Sequence, residues 1–397
     1  MTPAPLYLDH ASTTPCAPEV VAAMQPYWMD QCGNAAAAGM AGRQAFRVFE
    51  QVKNDVAGLI GGTGEGVILT SGATEANDLA LRGAARANTN KSRSEILISA
   101  IEHDSVFYAA QDMGALGYHI KIIPVDACGI VTPTALAALL SPRTFMVSVI
   151  AAGHETGAVQ NIPALAAQAR AAGALFHTDA AQAAGRMDID VAAWGVDMLT
   201  LCAHKMKGPQ GIGALYVRST PPLALQPVFG GGGAQKLRGG TVPLALAAGF
   251  GAACGLARAE MTRGPRHAAD LRAAFIDVLI ARGVGFLVNE APAQLPHILS
   301  LYMPGVDAAD AMINLAPYID FSAGAACRNA SGKTSAVLAA MGQDDIRAAQ
   351  TMRFSFAQAA PDGDTAARDI RNIQAAAEKL ADYAAACTGS AVCAGAV

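Results

Sequence analysis

Between Val67 and Asp179, short apolar runs alternate with stretches of helical spacing. VILT (67–70), EILISA (95–100), HIKIIPV (119–125), Thr144–Ala152 and Ala174–His177 read as strands. Helices open at SGATEAND and EHDSV and run across Ala164–Ala172. Strands separated by helices require crossover connections of one hand, which builds a mostly parallel sheet and an α/β fold. In such sheets ligands gather beyond the carboxyl ends of the strands. Ser71–Thr74, His103, Gly153–Thr156, Asp179 and His204-Lys205 all fall at such ends, so these are the first residues to question.

The stretch VDMLTLCAHKMKGPQGIGALYV (196–217) departs from the alternation. An apolar run ends at Ala203-His204-Lys205, crosses a Gly/Pro turn and resumes as ALYV, which reads as strand, turn, strand. A lysine between two apolar runs loses hydration, and desolvation lowers its pKa and frees its amine as a nucleophile, as a Schiff-base lysine requires. The segment alone fits equally a lysine snorkelling out of a strand end.

Before this region, Leu6–Asp9 reads as a short strand, Glu19–Trp28 as a helix, and Gln44–Ile60 as an amphipathic helix with Phe46, Phe49, Val52, Val56 and Leu59 on one face. After Arg258 a charged helix through RAEMTRGPRHAADLRAAFIDVLIARG leads to the strand HILSLYMP, the run IDFSAGAACRNASGKTS, the helix AVLAAM, the strand TMRFSFA and a last helix. The boundary is expected near Arg258: a large domain over 16–258, and a small α+β domain from 1–15 and 259–397 carrying a loop at about 321–335.

With 52% hydrophobic and 15% charged residues among 397, the chain has a substantial core to bury. Its net charge of −4 and scattered signs argue against a nucleic-acid partner. The longest uncharged stretch, 239–257, is rich in Gly and Ala and falls short of the roughly 20 apolar residues of a membrane span, so it is expected as an internal helix. The N-terminus carries no basic and apolar signal pattern, which leads us to expect reduced thiols and a cytoplasmic location. The eight cysteines form no CxxC pair and no grouping with histidine, so no metal site is expected.

The polar groups at the strand ends make a set. Gly72, Ala73 and Thr74 open a helix, where backbone N–H groups and the Thr74 hydroxyl suit a phosphate, although such a turn is also an ordinary helix cap. Asp179 ends an apolar strand and needs a cationic partner, which a protonated pyridine nitrogen supplies. His103 sits where it could stack on a planar ring or move protons, or simply start a helix. Gln182 could donate to a ring oxygen or solvate a helix start. A lysine 26 residues beyond the aspartate, with an anion cradle earlier in the chain, meets the needs of pyridoxal 5'-phosphate. Cys327 stands apart: its surroundings, SAGAACRNASGKTS, are too small and polar to pack a core. The run reads as a mobile surface loop in which Arg328 and Lys333 favour the thiolate.

The motifs YLDHASTTP, TSGATEAND, the EH of IEHDS, HETGAVQ, HTDAAQAAG, AHKMKGPQGIGALYVR, GGG with LRGGT, SAGAACRNAS and MRFSF run from Tyr7 to Ser355 in a familiar order. Together they resemble the NifS/IscS-type cysteine desulfurases of the class-V aminotransferase family, which have the aspartate-aminotransferase-like fold type I of pyridoxal-phosphate enzymes. The resemblance implies that Lys205 carries the cofactor, Asp179 pairs with its ring nitrogen, His103 stacks on the ring and moves protons, and Gln182 touches the ring oxygen. It implies that Thr74, His204 and the residue at position 202 bind the phosphate, joined by Thr241 from the second subunit of a homodimer. Arg353 and Asn34 would hold the substrate carboxylate. Cys327 would take sulfur from L-cysteine as a persulfide, leave L-alanine, and pass the sulfur to an iron–sulfur scaffold or another acceptor, with the loop sequence nearest the NifS branch of nitrogen fixation.

Three departures accompany the resemblance. Gly153 stands where the family has an asparagine bonded to the ring oxygen, Cys202 replaces a serine, and GNAAAAGM lacks the family's proline, serines and histidine. One lost hydrogen bond to a polarised group costs on the order of 1.5–3 kcal/mol. The competing readings are a selenocysteine lyase or an aminotransferase of the same fold, and a non-catalytic sulfur-relay partner.

Overall fold

Seven of the apolar runs assemble into one sheet. The computed structural model describes residues 4–323, 335–359 and 363–389, and its strands in chain order are β1 (Leu6–Tyr7), β2 (Val67–Thr70), β3 (Glu95–Ser99), β4 (His119–Ile123), β5 (Thr144–Ser148), β6 (Leu175–Asp179), β7 (Met198–Cys202), β8 (Gly213–Val217), β9 (Leu287–Val288), β10 (Ile298–Tyr302), β11 (Ile319–Asp320) and β12 (Thr351–Ser355). The large sheet has the order β2-β8-β7-β6-β5-β3-β4. All its neighbours pair in parallel except β8, which runs antiparallel to both β7 and β2. Every residue of β2, β3, β5, β7 and β8 is buried, as expected for strands covered by helices on both faces.

The turn between β7 and β8 is the only place in this sheet where consecutive strands reverse without a helix. Its tightness depends on Gly208, where a Cβ would lie 2.7 Å from the Ala203 carbonyl oxygen.

Two expected helices are interrupted. Glu19–Trp28 divides into Pro18–Met24 and Pro26–Met29, because Pro26 lacks the N–H that would continue the ladder. The charged helix expected from Arg258 is split as well. Leu244–Glu260 ends, and Arg263–Ala281 departs at 71°, since Pro265 cannot donate to the Met261 carbonyl. The uncharged stretch is the helix Leu244–Glu260, with Ala247, Phe250, Ala253 and Cys254 wholly enclosed. No single helix among the described residues is long and apolar enough to cross a membrane.

The main core joins the helix Met40–Leu59, strands of the large sheet and the helix Leu244–Glu260. A second core draws on Leu8, the helices Arg263–Ala281 and Gly363–Thr388, and β10 and β12. Within it Phe354 stacks on Phe321 at 4.7 Å and meets Phe275 at 4.8 Å. The sheet of this part, β12-β10-β9, is antiparallel. Ser355 N donates to the Leu8 carbonyl at 2.7 Å, so β12 and the N-terminal segment travel together to the carboxyl ends of the large sheet. The boundary expected near Arg258 falls in the last turn of Leu244–Glu260.

Beyond β3 lies Glu102, 2% exposed, whose Oε1 accepts from Ile150 N at 2.7 Å and from the Ser99 hydroxyl. Burial outweighs these bonds, nearby Asp179 adds to it, and the carboxyl is pushed up to about 8. The folded protein therefore holds Glu102 neutral through a range where the unfolded chain ionises it. Its stabilising effect is complete below the ordinary carboxyl pKa and is lost as pH rises toward 8. Urea unfolding at a series of pH values is expected to show Glu102→Gln gaining on the wild type between about pH 4.5 and 8, by up to about 1.4 kcal/mol per pH unit. A constant difference across that range contradicts the assignment.

Candidate active site

The carboxyl ends of β2, β3, β5, β6 and β7 open onto a cavity of about 500 Å³ whose wall includes Gly72, Ala73, Thr74, His103, His154, Asp179, Gln182, His204, Lys205 and Arg353. Nine of the thirteen site residues expected from the sequence thus meet in one place. Cys202 is one step removed: it ends β7 but is 1% exposed and absent from the wall, and burial raises its thiol pKa. Asn34 and Thr241 are exposed elsewhere. The Asn34 side chain accepts from Ala36 N at 3.0 Å, and Thr241 is the residue that the resemblance assigns to a second subunit. Cys327 and its neighbours Arg328 and Lys333 lie outside the described residues.

Lys205 sits on the turn after β7 with its amine desolvated. Burial lowers its pKa, helped by Arg186 and Arg353 and opposed by Cys202 and Asp179. Beside it, burial lowers His204 to about 4, with Lys205 and Arg186 adding to the effect, so its ring is neutral and bonds through Nδ1 with the Thr13 hydroxyl at 3.1 Å.

Asp179 is 3% exposed at the end of β6. It accepts from Asn77 Nδ2 at 2.7 Å and Ala181 N at 2.8 Å. Asn77 Nδ2 also donates to the Ser105 hydroxyl at 2.9 Å, and Ser105 meets His103 Nδ1 at 2.9 Å. His103 is the N-cap of the helix Asp104–Ala115, its Nδ1 accepting from Ser105 N at 3.1 Å. In the neutral ring the proton is therefore on Nε2. A continuous polar chain links the carboxylate to the histidine, and the His154 ring lies edge-on to His103 at 5.6 Å.

The helix Ala73–Ala87 begins at Gly72 with no side-chain cap. Its first N–H groups and positive end face the cavity beside the Thr74 hydroxyl. Glu75 also lines the cavity, its carboxylate accepting from Ser71 N at 2.7 Å and Arg238 Nε at 2.9 Å. Gly72 itself packs so closely on β8 that a Cβ at Gly213 would come within 2.8 Å of it.

Two expected contacts are already engaged. Gln182 Nε2 donates to the Ala11 carbonyl at 2.8 Å and its Oε1 accepts from Arg186 at 2.6 Å. Arg353 donates to the His154 carbonyl at 2.8 Å, Asp9 Oδ1 at 2.7 Å and the Ser12 hydroxyl at 2.8 Å, while its buried Nε has no partner. Sequence reasoning missed Asn77, Ser105, Ser12 and Arg186. Asn77 lay in view within TSGATEAND, and only its burial in a helix gives it meaning.

These residues fit an aromatic phosphate-bearing aldehyde. An uncapped helix start suits the phosphate, a buried carboxylate without a cation of its own suits a pyridinium, and a desolvated amine between them suits the aldehyde. Arg353, with a spare buried donor, suits a carboxylate.

Residues 6–365 match the Aminotransferase class-V family model. Cysteine desulfurase IscS of Rickettsia bellii is 34% identical over 355 residues, 89% of this chain and 86% of that protein. Cysteine desulfurase of Rattus norvegicus is 34% identical, over 89% of this chain and 78% of that protein. Among solved structures, a NifS-like protein superposes with a TM-score of 0.86 at 26% identity, covering 96% of this chain and 100% of that one. SspA in complex with cysteine gives a TM-score of 0.79 at 29% identity, covering 89% and 99%. The chain belongs to the class-V aminotransferase family and, within it, to the NifS/IscS-type cysteine desulfurases.

Proposed function

We propose that the cavity converts L-cysteine to L-alanine with pyridoxal 5'-phosphate and moves the sulfur onto Cys327 as a persulfide. The observation that carries the reading is the meeting of the desolvated Lys205 amine, the buried Asp179 carboxylate and the Arg353 guanidinium in one cavity. The cofactor, when bound, supplies the electron sink that acidifies the substrate's α-carbon and loosens its carbon–sulfur bond.

This chain's residues do the rest. Gly72, Ala73, Thr74 and His204 hold the phosphate, Asp179 keeps the pyridine nitrogen protonated, and Lys205 anchors the aldehyde carbon and takes or returns a proton at Nζ. His103 offers its Nε2 proton on the ring side, where the Asp179–Asn77–Ser105 chain fixes its tautomer. Arg353 takes the substrate carboxylate with its free Nε, sharing or replacing Asp9. The Cys327 thiolate attacks the substrate sulfur, a sulfur–sulfur bond forms and the carbon–sulfur bond breaks. The electron pair goes to the substrate carbon, which collects a proton: cysteine and a thiol become alanine and a persulfide.

A homodimer in which the partner's Thr241 completes the phosphate site, an iron–sulfur scaffold as acceptor and a cytoplasmic location belong to the same proposal. Relatives named cysteine desulfurase IscS support the desulfurase activity on which these rest.

Purified protein incubated with L-cysteine is expected to release alanine and carry extra sulfur on Cys327 by peptide mass mapping. Cys327→Ser should lose the persulfide and at least about tenfold in turnover while still retaining cofactor. Undiminished alanine formation in that variant would point instead to lyase or transaminase chemistry without an enzyme thiol. At Gly153 an added Cβ meets Thr156 Oγ1 at 3.3 Å, a side-chain atom able to yield. Gly153→Asn is therefore expected to tighten cofactor binding and raise turnover, by about ten- to a hundredfold in all for one hydrogen bond. Unchanged affinity and rate refute the idea that the missing asparagine limits this site.

A further inference from the structure

Arg186 takes no part in the roles above, yet its guanidinium ties the parts of the site together. It is 4% exposed. Nε donates to Gln358 Oε1 at 3.1 Å, Nη1 to the Gln182 carbonyl at 3.2 Å and Gln182 Oε1 at 2.6 Å, and Nη2 to the carbonyls of His10 at 3.2 Å and Lys205 at 2.7 Å. Every acceptor is a neutral oxygen, and none of the ion pairs formed among the described residues involves this cation. Burial draws its pKa down to about 10, so it stays charged at neutral pH. Burying an unpaired cation is costly, and a neutral side chain there would avoid that cost.

Packing shows what the cation provides. On the side away from the site, the turn that carries Lys205 borders a second cavity, of about 340 Å³, whose walls include Arg186, Met206, Leu256 and Phe356. Ala203 and Met206 pack the turn into the main core, and hydrogen bonds locate it where the cavity leaves space. The bond from Arg186 to the Lys205 carbonyl connects it to Gln182, to the N-terminal segment at His10 and to Gln358 beyond β12. The charged and titratable groups around the Lys205 amine include Asp179 on β6, Cys202 on β7, neighbouring His204, His297 before β10, Arg353 on β12 and Arg186.

We propose that Arg186 is a positioning residue: it clamps the Lys205 turn and the Gln182 amide in register and places an uncompensated positive charge against that turn. The proposal rests on the reading of Lys205 as the cofactor-bearing amine. The test uses cofactor-free full-length protein. Trace acetylation of its lysines across a pH series, read by peptide mass spectrometry, gives a labelling midpoint for Lys205 beside that of exposed Lys91. Titration with pyridoxal phosphate gives the affinity.

Arg186→Gln removes the charge, and the Lys205 midpoint is expected to rise by about half a pH unit or more with Lys91 unmoved. Arg186→Lys keeps the charge and loses the planar fork. It is expected to hold the wild-type midpoint and weaken pyridoxal phosphate at least about tenfold. A folded Arg186→Gln protein with the wild-type Lys205 midpoint overturns the proposal, as does a folded Arg186→Lys protein with wild-type affinity. If Arg186→Gln fails to fold, the lysine variant decides. Should the wild type bind no pyridoxal phosphate, the cofactor reading fails while the Lys205 midpoint in Arg186→Gln still decides the electrostatic role of Arg186.

Discussion

The site depends on a primary amine deprived of water opposite a carboxylate deprived of water. Asp179 ends β6 and Lys205 follows the adjacent parallel strand β7, yet no direct ion pair joins them. Asp179 accepts from Asn77 and the Ala181 amide; Lys205 is pressed toward neutrality by burial and by two arginines. Had the two simply paired, the amine would be a poor nucleophile and the carboxylate would have no call on a pyridinium. Their separation by the cavity leaves both unsatisfied in complementary ways, which is the condition for receiving a ligand that carries an aldehyde and a basic ring nitrogen.

The second core supplies what the large sheet lacks. A parallel sheet presents strand ends and helix starts, which suit phosphate and ring, but the strand-end set contains no fixed cation for a carboxylate. β12 brings Arg353, and the N-terminal segment brings Asp9 and Ser12 to hold it. The guanidinium is thus pre-oriented by one carboxylate before another arrives, with its Nε in reserve. Arg186 performs a similar joining from below, spanning the Lys205 turn, Gln182, His10 and Gln358.

Much of this could be read from the chain alone, for identifiable reasons. Apolar strands of four or five residues bounded by Gly, Ser and Asp leave a strong pattern, so β2 to β8 and the residues at their ends were legible. Helix breaks were not, because Pro26 and Pro265 sit in stretches whose apolar spacing carries on across them. Side chains that act through others were also hidden. Asn77 and Ser105 join Asp179 to His103 across 102 and 28 residues of sequence from Asn77, and no local spacing encodes such a link. Arg186 looks like one more surface arginine after HTDAAQAAG until its carbonyl acceptors are seen. Gln182 lines the cavity, but its two bonds to Ala11 and Arg186 come from tertiary structure.

The central claim is that the Lys205 amine carries the cofactor, and borohydride reduction of the purified holoprotein tests it most directly. Reduction followed by proteolysis and mass mapping is expected to place one pyridoxyl group on Lys205 Nζ. A pyridoxyl group fixed at another lysine, or none fixed in protein that contains the cofactor, contradicts the account.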